Sequence, residues 1–307
     1  MTKVLVATEK PFAAVAVDGI RKVVEDAGFE LALLEKYNSR EELLKAVADA
    51  DALIIRSDKV GEDVFAAALK LKIVVRAGAG YDNVDLAAAT AHGVVVENTP
   101  GQNSNAVAEL ALGMMVMAAR NSYDGTSGSE LMGKTLGIQA FGQVGRNVAR
   151  IAKGFGMNVS AVDPYCPAEV IREAGVEVCD SVADLYRNNK YVSVNIPATP
   201  ETIKSIGYDL LMSMPKGGVV INTARKEVID EEGLAKALDE RADLKYFADV
   251  KPDSAAELTE RFGNRVFFTP KKMGAQTAEA NINAGIAAAR QIVAYFKEGS
   301  ERFRVNK

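Results

Sequence analysis

Cationic residues follow four of five apolar segments that could end at one edge of a β-sheet. The five ends are Arg56-Ser57, Arg76-Ala77-Gly78-Ala79-Gly80, Asn222-Thr223-Ala224-Arg225, Asp249 and Thr269-Pro270-Lys271-Lys272. Ligands of open α/β sheets bind in the crevice beyond the carboxyl ends of the strands. Guanidinium and ammonium groups that converge there bind carboxylates and phosphates through charged hydrogen bonds. The pattern therefore predicts an anionic substrate that carries more than a single negative charge.

The stretch from Lys134 to Asp163 has the order of a dinucleotide-binding βαβ unit: strand, glycine turn, helix, second strand and acidic residue. Gly142 and Gly145 bracket the turn, so a helix begins there whose unpaired N–H groups can bind a pyrophosphate. Asp163 follows Gly145 by eighteen residues, where a carboxylate accepts hydrogen bonds from a ribose and repels a 2′-phosphate. The cofactor that these positions predict is NAD rather than NADP.

The first position of the turn departs from the usual three-glycine pattern, because Ala140 stands where the first glycine is expected. Alanine can take that place if its φ stays negative. The alternative interpretation is an ordinary βαβ crossover whose glycines only permit close helix packing. The strand, the helix and the acid around the turn favour the nucleotide interpretation.

Strands and helices alternate along the rest of the chain. Strands this apolar, separated by helices, indicate a parallel sheet covered on both faces. A final helix from Thr277 to Glu298, with Gly299 just past its end, is long enough to return to the first unit. We predict an α/β fold of two open, doubly wound parallel-sheet domains, the second of Rossmann type. The domains are 1–98 with 285–307, which binds substrate, and 99–284, which binds NAD.

Composition excludes several classes of function. The 307 residues are 48% hydrophobic and 25% charged, and their net charge of −4 leaves no basic face for a nucleic acid. The longest apolar run, from Leu110 to Ala119, is too short to span a bilayer, and no secretory leader precedes the first strand. Cys166 and Cys179 lack the spacing of a metal site, so we expect no metal. Without a secretory leader we expect a cytoplasmic location, where both cysteines are reduced thiols.

Five motifs resemble those of the D-isomer-specific 2-hydroxyacid dehydrogenases, and most of all the phosphoglycerate dehydrogenase branch of that family. They are RAGAGYDNVDLAAAT, NTPGQNSNAVAEL, GKTLGIQAFGQVGR, INTARKEVIDEEGL and TPKKMGAQTAEAN. They occur in family order, and the resemblance covers nearly the whole chain. It implies NAD-dependent oxidation of D-3-phosphoglycerate to 3-phosphohydroxypyruvate, the first step of serine biosynthesis.

The resemblance also implies roles for individual residues. Arg225 matches the family's catalytic arginine, which holds the substrate carboxylate and the C2 oxygen. The substrate side comprises Arg56, Ser57, Arg76, Ala77, Gly78, Ala79 and Asn103. The cofactor side comprises Gly142, Gln143, Val144, Gly145, Asp163, Ile196, Pro197, Thr223, Ala224, Asp249 and Gly274. At two cofactor contacts relatives often have threonine where this chain has Ala79 and Ile196, so those contacts must be backbone or apolar.

The general base departs from the family pattern. Relatives use a histidine just after Thr-Pro to take the hydroxyl proton, whereas the single histidine here, His92, lies at the end of a helix in the first domain. Lys271 and Lys272 stand after Thr269-Pro270 instead. A lysine, with a pKa of about 10.4 in water, can act as base only where burial or nearby positive charge lowers that pKa. We predict that one lysine is the acid/base and the other binds substrate, and counting along the loop leaves open which is which.

The glutamate that orients the base in relatives is displaced here. Asp253, Glu257 and Glu260 are candidates, and we select Glu257; the alternative that all three are charges on a helix surface stays open.

The sequence also fits two alternative functions and suggests an assembly state. A hydroxypyruvate or glyoxylate reductase would need only a carboxylate clamp, whereas a phosphate needs a second cationic pocket. An NAD-sensing corepressor is the alternative from another class. We expect a homodimer, because the long helix after Pro100 carries more apolar residues than one buried stripe requires. Burial of this helix within one chain is the simpler alternative.

Overall fold

The computed structural model describes residues 1–306. The chain forms two compact units, one from Met1–Asn103 with the residues from Thr277 onward, the other from Ser104–Gln276. The prediction placed the divisions after residues 98 and 284, which would cut the last helix. In the structure that helix belongs entirely to the first unit, because it packs along the first helix of the chain.

Unit 1 contains a parallel sheet with helices on both faces. Its strands are β1 (Lys3–Thr8), β2 (Glu30–Glu35), β3 (Ala52–Ile55), β4 (Ile73–Arg76) and β5 (Val95–Asn98). Its helices are α1 (Ala14–Asp26), α2 (Arg40–Val47), α3 (Glu62–Ala67), α4 (Leu86–Ala91) and, at the end of the chain, α12 (Ala278–Glu298). The strand order β2-β1-β3-β4-β5 reverses direction between β1 and β3, which is where such a sheet opens a crevice.

The helix ends of unit 1 follow the sequence signals. Ser39 caps α2 by accepting a hydrogen bond from the Glu42 backbone N–H. Thr277 caps α12 in the same way, and Gly299 ends that helix in the left-handed conformation with φ of 67°. Two apolar cores, one on each face of the sheet, bury β1, β3 and β4.

Unit 2 contains a seven-stranded parallel sheet. Its strands are β6 (Thr135–Gln139), β7 (Asn158–Val162), β8 (Glu177–Val178), β9 (Tyr191–Val194), β10 (Val219–Asn222), β11 (Lys245–Ala248) and β12 (Val266–Phe268). Its helices are α5 (Ser104–Ala119), α6 (Gln143–Gly154), α7 (Ala168–Glu173), α8 (Val182–Asn188), α9 (Tyr208–Ser213), α10 (Glu231–Glu240) and α11 (Ala255–Phe262). The order β12-β11-β10-β9-β6-β7-β8 reverses between β6 and β9. The predicted fold class is thus confirmed.

The apolar residues of α5 are largely buried inside unit 2. Leu112, Met114 and Met115 are at most 2% exposed, and Leu110 and Met117 pack against the same core. The simpler alternative for this helix is therefore correct, and α5 leaves little apolar surface to support the dimer prediction. No helix within residues 1–306 is long and apolar enough to cross a membrane.

Candidate functional site

The first residue of the glycine turn after β6 has an unusual conformation. Ala140 has φ of 75°, so alanine fills the place of the first glycine without the negative φ that the sequence argument set as its condition. Its backbone N–H donates to the Val162 carbonyl at 2.9 Å, which ties the turn to β7. The left-handed conformation costs a residue with a Cβ about 1–2 kcal/mol. The turn therefore has an alanine in a left-handed conformation that glycine adopts without cost, so the Ala140 backbone is strained.

The two remaining glycines serve different purposes. A Cβ on Gly145 would lie 2.3 Å from the Ala140 carbonyl oxygen, so only glycine lets α6 approach the turn. A Cβ on Gly142 would meet no atom within 4 Å, so the backbone there faces open space. Gly142 caps α6 without a side-chain hydrogen bond, which leaves the first N–H groups of the helix, beginning with Gln143 and Val144, available to an anion.

Asp163 lies beside this turn, directly after β7. One carboxylate oxygen accepts the Phe141 N–H at 2.8 Å and the other accepts the Tyr165 N–H at 2.8 Å. These bonds hold the carboxylate at the edge of the turn. Each oxygen of an ionised carboxylate can accept two hydrogen bonds, so each keeps one for a ligand.

Two polar side-chain atoms at neighbouring strand ends are buried without a partner in residues 1–306. They are Asn195 Oδ1, after β9, and Thr223 Oγ1, after β10. Buried polar atoms are normally hydrogen-bonded, so unpaired ones at the crevice of a doubly wound sheet fit a site that a polar ligand completes. Ile196 and Pro197 follow Asn195 directly, and both are at least partly exposed.

The turn that carries Arg225 is organised by Asn222, which is fully buried. Asn222 Oδ1 accepts the Ala224 N–H at 2.9 Å, and Asn222 Nδ2 donates to the Arg225 carbonyl at 2.9 Å. The Arg225 side chain is exposed, and its one hydrogen bond within residues 1–306 runs from NH1 to the Ala224 carbonyl at 2.9 Å. The guanidinium therefore retains most of its donors for a ligand.

Asp249, after β11, holds the segment that contains the two lysines. Its carboxylate is 1% exposed and accepts hydrogen bonds from Thr269 Oγ1 at 2.9 Å, Met273 N at 2.6 Å and Gly274 N at 2.8 Å. We call residues 269–274 the lysine loop. Lys271 and Lys272 lie in this loop and both are exposed.

Glu257 lies on the exposed side of α11 and is ion-paired with Arg261, which also contacts Asp239 at 2.5 Å. Asp253 is paired with Lys226 at 2.6 Å. These two acids thus have cationic partners on the protein surface. Glu260 lines a hollow of about 520 Å³ together with Thr269 and Pro270, at the start of the lysine loop.

In unit 1, the crevice between β1 and β3 is built around a carboxylate that sequence reasoning missed. Asp58 is 3% exposed and accepts hydrogen bonds from Glu9 N at 2.7 Å, Tyr37 Oη at 2.9 Å and Arg56 N at 3.1 Å. Burial, with the neighbouring Asp58 charge, raises the pKa of Tyr37 above its usual range. The available signal was an acid two residues after a strand-end arginine.

Arg56 is committed to contacts within unit 1. Its guanidinium donates to the Lys10 and Pro11 carbonyls at 3.0 and 2.9 Å and to Asn281 Oδ1 at 2.8 Å. It also lies 5.1 Å from the centre of the Phe12 ring. These bonds attach the loop after β1 to α12, so Arg56 has a structural use that the sequence did not predict.

Arg76 is more available to a ligand. Within residues 1–306, only its Nε is hydrogen-bonded, to the Arg56 carbonyl at 3.0 Å. Its NH1 fills the space above Gly78, where a Cβ would come within 1.6 Å of it. Burial and the neighbouring Arg56 charge lower the pKa of Arg76 against the opposing charge of Asp82, so a bound anion would offset the cost of holding this cation.

The other predicted substrate-side residues follow these two arginines in the sequence, with Asn103 farther along the chain. Ala77 is buried, Ser57 and Ala79 are exposed, and Gly78 and Asn103 are partly exposed. Gly78 has φ of 148°, a backbone conformation that side-chain-bearing residues rarely adopt. His92 follows α4 and contacts Glu62 at 2.8 Å, consistent with its predicted position at a helix end.

Cys166 and Cys179 form no disulfide in the structure. Residues 1–306 contain no group of three or more His, Cys, Asp or Glu side chains that could hold a metal ion.

Comparison with known proteins identifies relatives over the whole chain. Residues 106–270 match the family model described as D-isomer specific 2-hydroxyacid dehydrogenase, NAD binding domain. D-3-phosphoglycerate dehydrogenase of Methanocaldococcus jannaschii is 40% identical over 272 residues, which are 83% of this chain and 51% of that protein. The chain thus spans about half the length of this curated relative.

Two solved structures cover nearly all of the chain. The NAD⁺-bound 3-phosphoglycerate dehydrogenase of Entamoeba histolytica is 46% identical, with a TM-score of 0.83 and coverage of 100% of this chain and 99% of that one. A glyoxylate reductase from Paecilomyes thermophila is 26% identical, with a TM-score of 0.75 and coverage of 99% and 98%.

Proposed function

The chain belongs to the D-isomer specific 2-hydroxyacid dehydrogenase family, and from this premise we propose that it oxidises D-3-phosphoglycerate to 3-phosphohydroxypyruvate with NAD. The observation that carries the proposal is the 46% identity to the Entamoeba 3-phosphoglycerate dehydrogenase, which extends over essentially both chains. In the cell this would be the first step of serine biosynthesis.

The residues of unit 2 fit an NAD molecule. The open backbone at Gly142 and the uncapped start of α6 suit a pyrophosphate, and Gly145 permits the close packing of that helix. The free acceptor sites of Asp163 suit the ribose hydroxyls. Asn195 Oδ1 and Thr223 Oγ1 offer polar contacts to the cofactor. Apolar contacts come from Ile196, Pro197 and Ala224. Gly274 lets the lysine loop approach Asp249. When bound, NAD supplies the nicotinamide carbon that accepts a hydride.

Arg225 and the lysine loop provide the chemistry of the reaction. The planar guanidinium of Arg225 suits bidentate binding of the substrate carboxylate and polarisation of the C2 oxygen. A neutral lysine amine takes the proton of the C2 hydroxyl while the C2 hydrogen leaves as hydride, and the resulting ammonium returns that proton in the reverse reaction. Either Lys271 or Lys272 fills this role, and the other binds substrate anion. Glu257 remains the proposed orienting acid, although its pairing with Arg261 makes Glu260 an equal candidate.

Arg76 is the residue of unit 1 best suited to the substrate phosphate. Its two terminal NH2 groups make no hydrogen bond within residues 1–306. An anion bound beside this half-buried guanidinium would stabilise its positive charge. Arg56 supports it through its backbone carbonyl and adds a second positive charge. Ser57, Gly78, Ala79 and Asn103 offer further contacts to substrate, those of Ala79 through its backbone.

A reductase of hydroxypyruvate or glyoxylate is the second candidate. It is favoured by the similarity to a glyoxylate reductase and by the commitment of Arg56 to protein groups, which reduces the cations available for a phosphate. The relatives do not favour the corepressor alternative.

The test is a panel assay of the purified protein. NADH oxidation is followed with phosphohydroxypyruvate, hydroxypyruvate and glyoxylate, and NAD reduction with D-3-phosphoglycerate, each also with the phosphorylated cofactors. We expect the phosphorylated acids and NAD to give the highest kcat/KM. A preference for unphosphorylated acids would replace the substrate assignment by the second candidate, and a preference for NADP would contradict the role of Asp163.

We also propose a cytoplasmic homodimer. Tyr123 and Met132 of unit 2 are 66% and 69% exposed, and a dimer interface that covered them would bury their apolar surface. Sedimentation equilibrium at micromolar concentration should give twice the mass of the chain, and a single-chain mass would reject the dimer.

A further inference from the structure

We propose that Asp249 and Thr269 are positioning residues that hold the lysine loop in place for proton transfer. The inference rests on the proposed function, because the position of the loop affects turnover only if one of its lysines handles the proton. Neither residue needs to touch the substrate to act in this way.

The loop is fastened at both ends to one carboxylate. Thr269 begins the loop. Its hydroxyl group has two acceptors at 2.9 Å, Asp249 Oδ1 and the Asp249 carbonyl oxygen, which share its single hydrogen. Met273 and Gly274 end the loop, and their N–H groups donate to Oδ1 and Oδ2 at 2.6 and 2.8 Å. Only Pro270, Lys271 and Lys272 lie between these fastened ends.

The fastening leaves the loop little freedom relative to β11. Pro270 restricts φ at the start of the three-residue span. At the other end, a Cβ on Gly274 would lie 3.0 Å from Asp249 Oδ2 and 3.2 Å from Val107 Cγ2, so the backbone is in close contact with the carboxylate. The two lysine Cα atoms are therefore placed by the three bonds to the Asp249 carboxylate and by the bond from the Thr269 N–H to the Ala248 carbonyl at 3.1 Å, although the lysine side chains themselves are exposed.

Substitution of Thr269 tests the positioning of the loop separately from any contact between Asp249 and the cofactor. Asp249 has accepted three hydrogen bonds of the four that a carboxylate can take, so a site on Oδ2 remains for a ligand. Thr269 is 5% exposed and its hydroxyl is already directed at Asp249. A variant of Thr269 therefore loosens the loop without removing a group that a ligand would contact.

The kinetic test compares Thr269→Val with Thr269→Ser. The valine variant should lower kcat at least tenfold with an unchanged Kd for NADH and an altered pH dependence of kcat, and serine should recover most of the rate. In the background of whichever lysine-to-alanine variant is slower, Thr269→Val should cost less than twofold, because no amine remains to be positioned. Ser213→Ala, which removes a hydroxyl-to-carbonyl bond on α9, is the control and should leave kcat unchanged.

A second measurement does not depend on activity. Trypsin cleavage after Lys271 or Lys272 in the native protein, followed by intact mass, should be several-fold faster in Thr269→Val than in wild type and in the serine variant. If the valine variant fails to fold, Thr269→Ala replaces it in both tests.

Three results would overturn the inference: unchanged turnover in the valine variant, an equal loss in the wild-type and lysine-to-alanine backgrounds, or unchanged cleavage. If the wild type converts none of the four acids in the panel assay, the proposed function fails. The cleavage rates then decide whether the loop is held by Asp249 and Thr269, with faster cleavage supporting that claim and equal cleavage rejecting it.

Discussion

Both sheets hold a buried carboxylate beyond the carboxyl ends of their strands, but the two carboxylates are surrounded differently. Asp58 in unit 1 and Asp249 in unit 2 are 3% and 1% exposed, and each accepts three hydrogen bonds that include two backbone N–H groups. Asp58 fixes a region whose arginine is already bonded to protein carbonyls. Asp249 fixes a loop whose lysines are exposed. A similar anchor thus holds an arginine that is bonded to protein groups in one unit and a loop of exposed lysines in the other.

The lysine loop should give the largest effect of substitution. Alanine at the acid/base lysine should lower kcat by about 10²–10⁴-fold, the usual contribution of general acid/base catalysis. Alanine at the other lysine should mainly raise the KM for the phosphorylated acid. Steady-state kinetics of Lys271→Ala and Lys272→Ala separate the two roles. Near-normal turnover in both variants would reject a lysine acid/base.

Substitutions of Arg76 and Arg56 should affect different properties, substrate binding for Arg76 and stability for Arg56. Arg76→Met should raise the KM for phosphohydroxypyruvate by about 10–100-fold and leave that for hydroxypyruvate within a few-fold, because a charged hydrogen-bonding group contributes about 1.5–3 kcal/mol. Arg56→Met should mainly lower the melting temperature, since its bonds are to protein groups. If Arg76→Met affects both acids equally, Arg76 does not bind the phosphate.

Removing the anchor of unit 1 should affect stability rather than chemistry. Asp58→Asn places an NH2 group against a backbone or hydroxyl donor and should lower the free energy of unfolding by about 2–3 kcal/mol. Tyr37→Phe, which removes one donor to the same carboxylate, should cost about 1 kcal/mol. Urea unfolding measures both values, and fluorescence titration with NADH should give wild-type affinity in each. A larger loss for Tyr37→Phe than for Asp58→Asn would contradict the central place of the carboxylate.

The smallest effect is expected at the strained turn of unit 2. Ala140→Gly should raise the free energy of unfolding by about 0.5–1 kcal/mol, because relief of the positive φ exceeds the added entropy of the unfolded chain. The matched control is Ala149→Gly inside α6, which should lower it by about 1 kcal/mol. If Ala140→Gly is as destabilising as the control, the turn is not strained.

Periodicity and strand-end residues were sufficient to predict the fold class, the crevices and the ends of α12, because these depend on local patterns. They were not sufficient for Ala140, whose backbone is tied to β7 by the bond from its N–H to the Val162 carbonyl, 22 residues along the chain. Asp58 and the partners of Arg56 were missed for the same reason, since Tyr37 and Asn281 reach them from distant parts of the chain. Contacts between residues far apart in sequence leave no periodic signal.

Chemical rescue tests the lysine assignment most directly. Turnover of D-3-phosphoglycerate is measured for the slower of the two lysine-to-alanine variants while small primary amines of increasing basicity are added. We expect the rate to rise with amine concentration and to depend on the pKa of the amine, with no such rise in the wild type. If no amine restores turnover in a variant that is folded and binds NAD normally, a lysine is not the group that moves the proton.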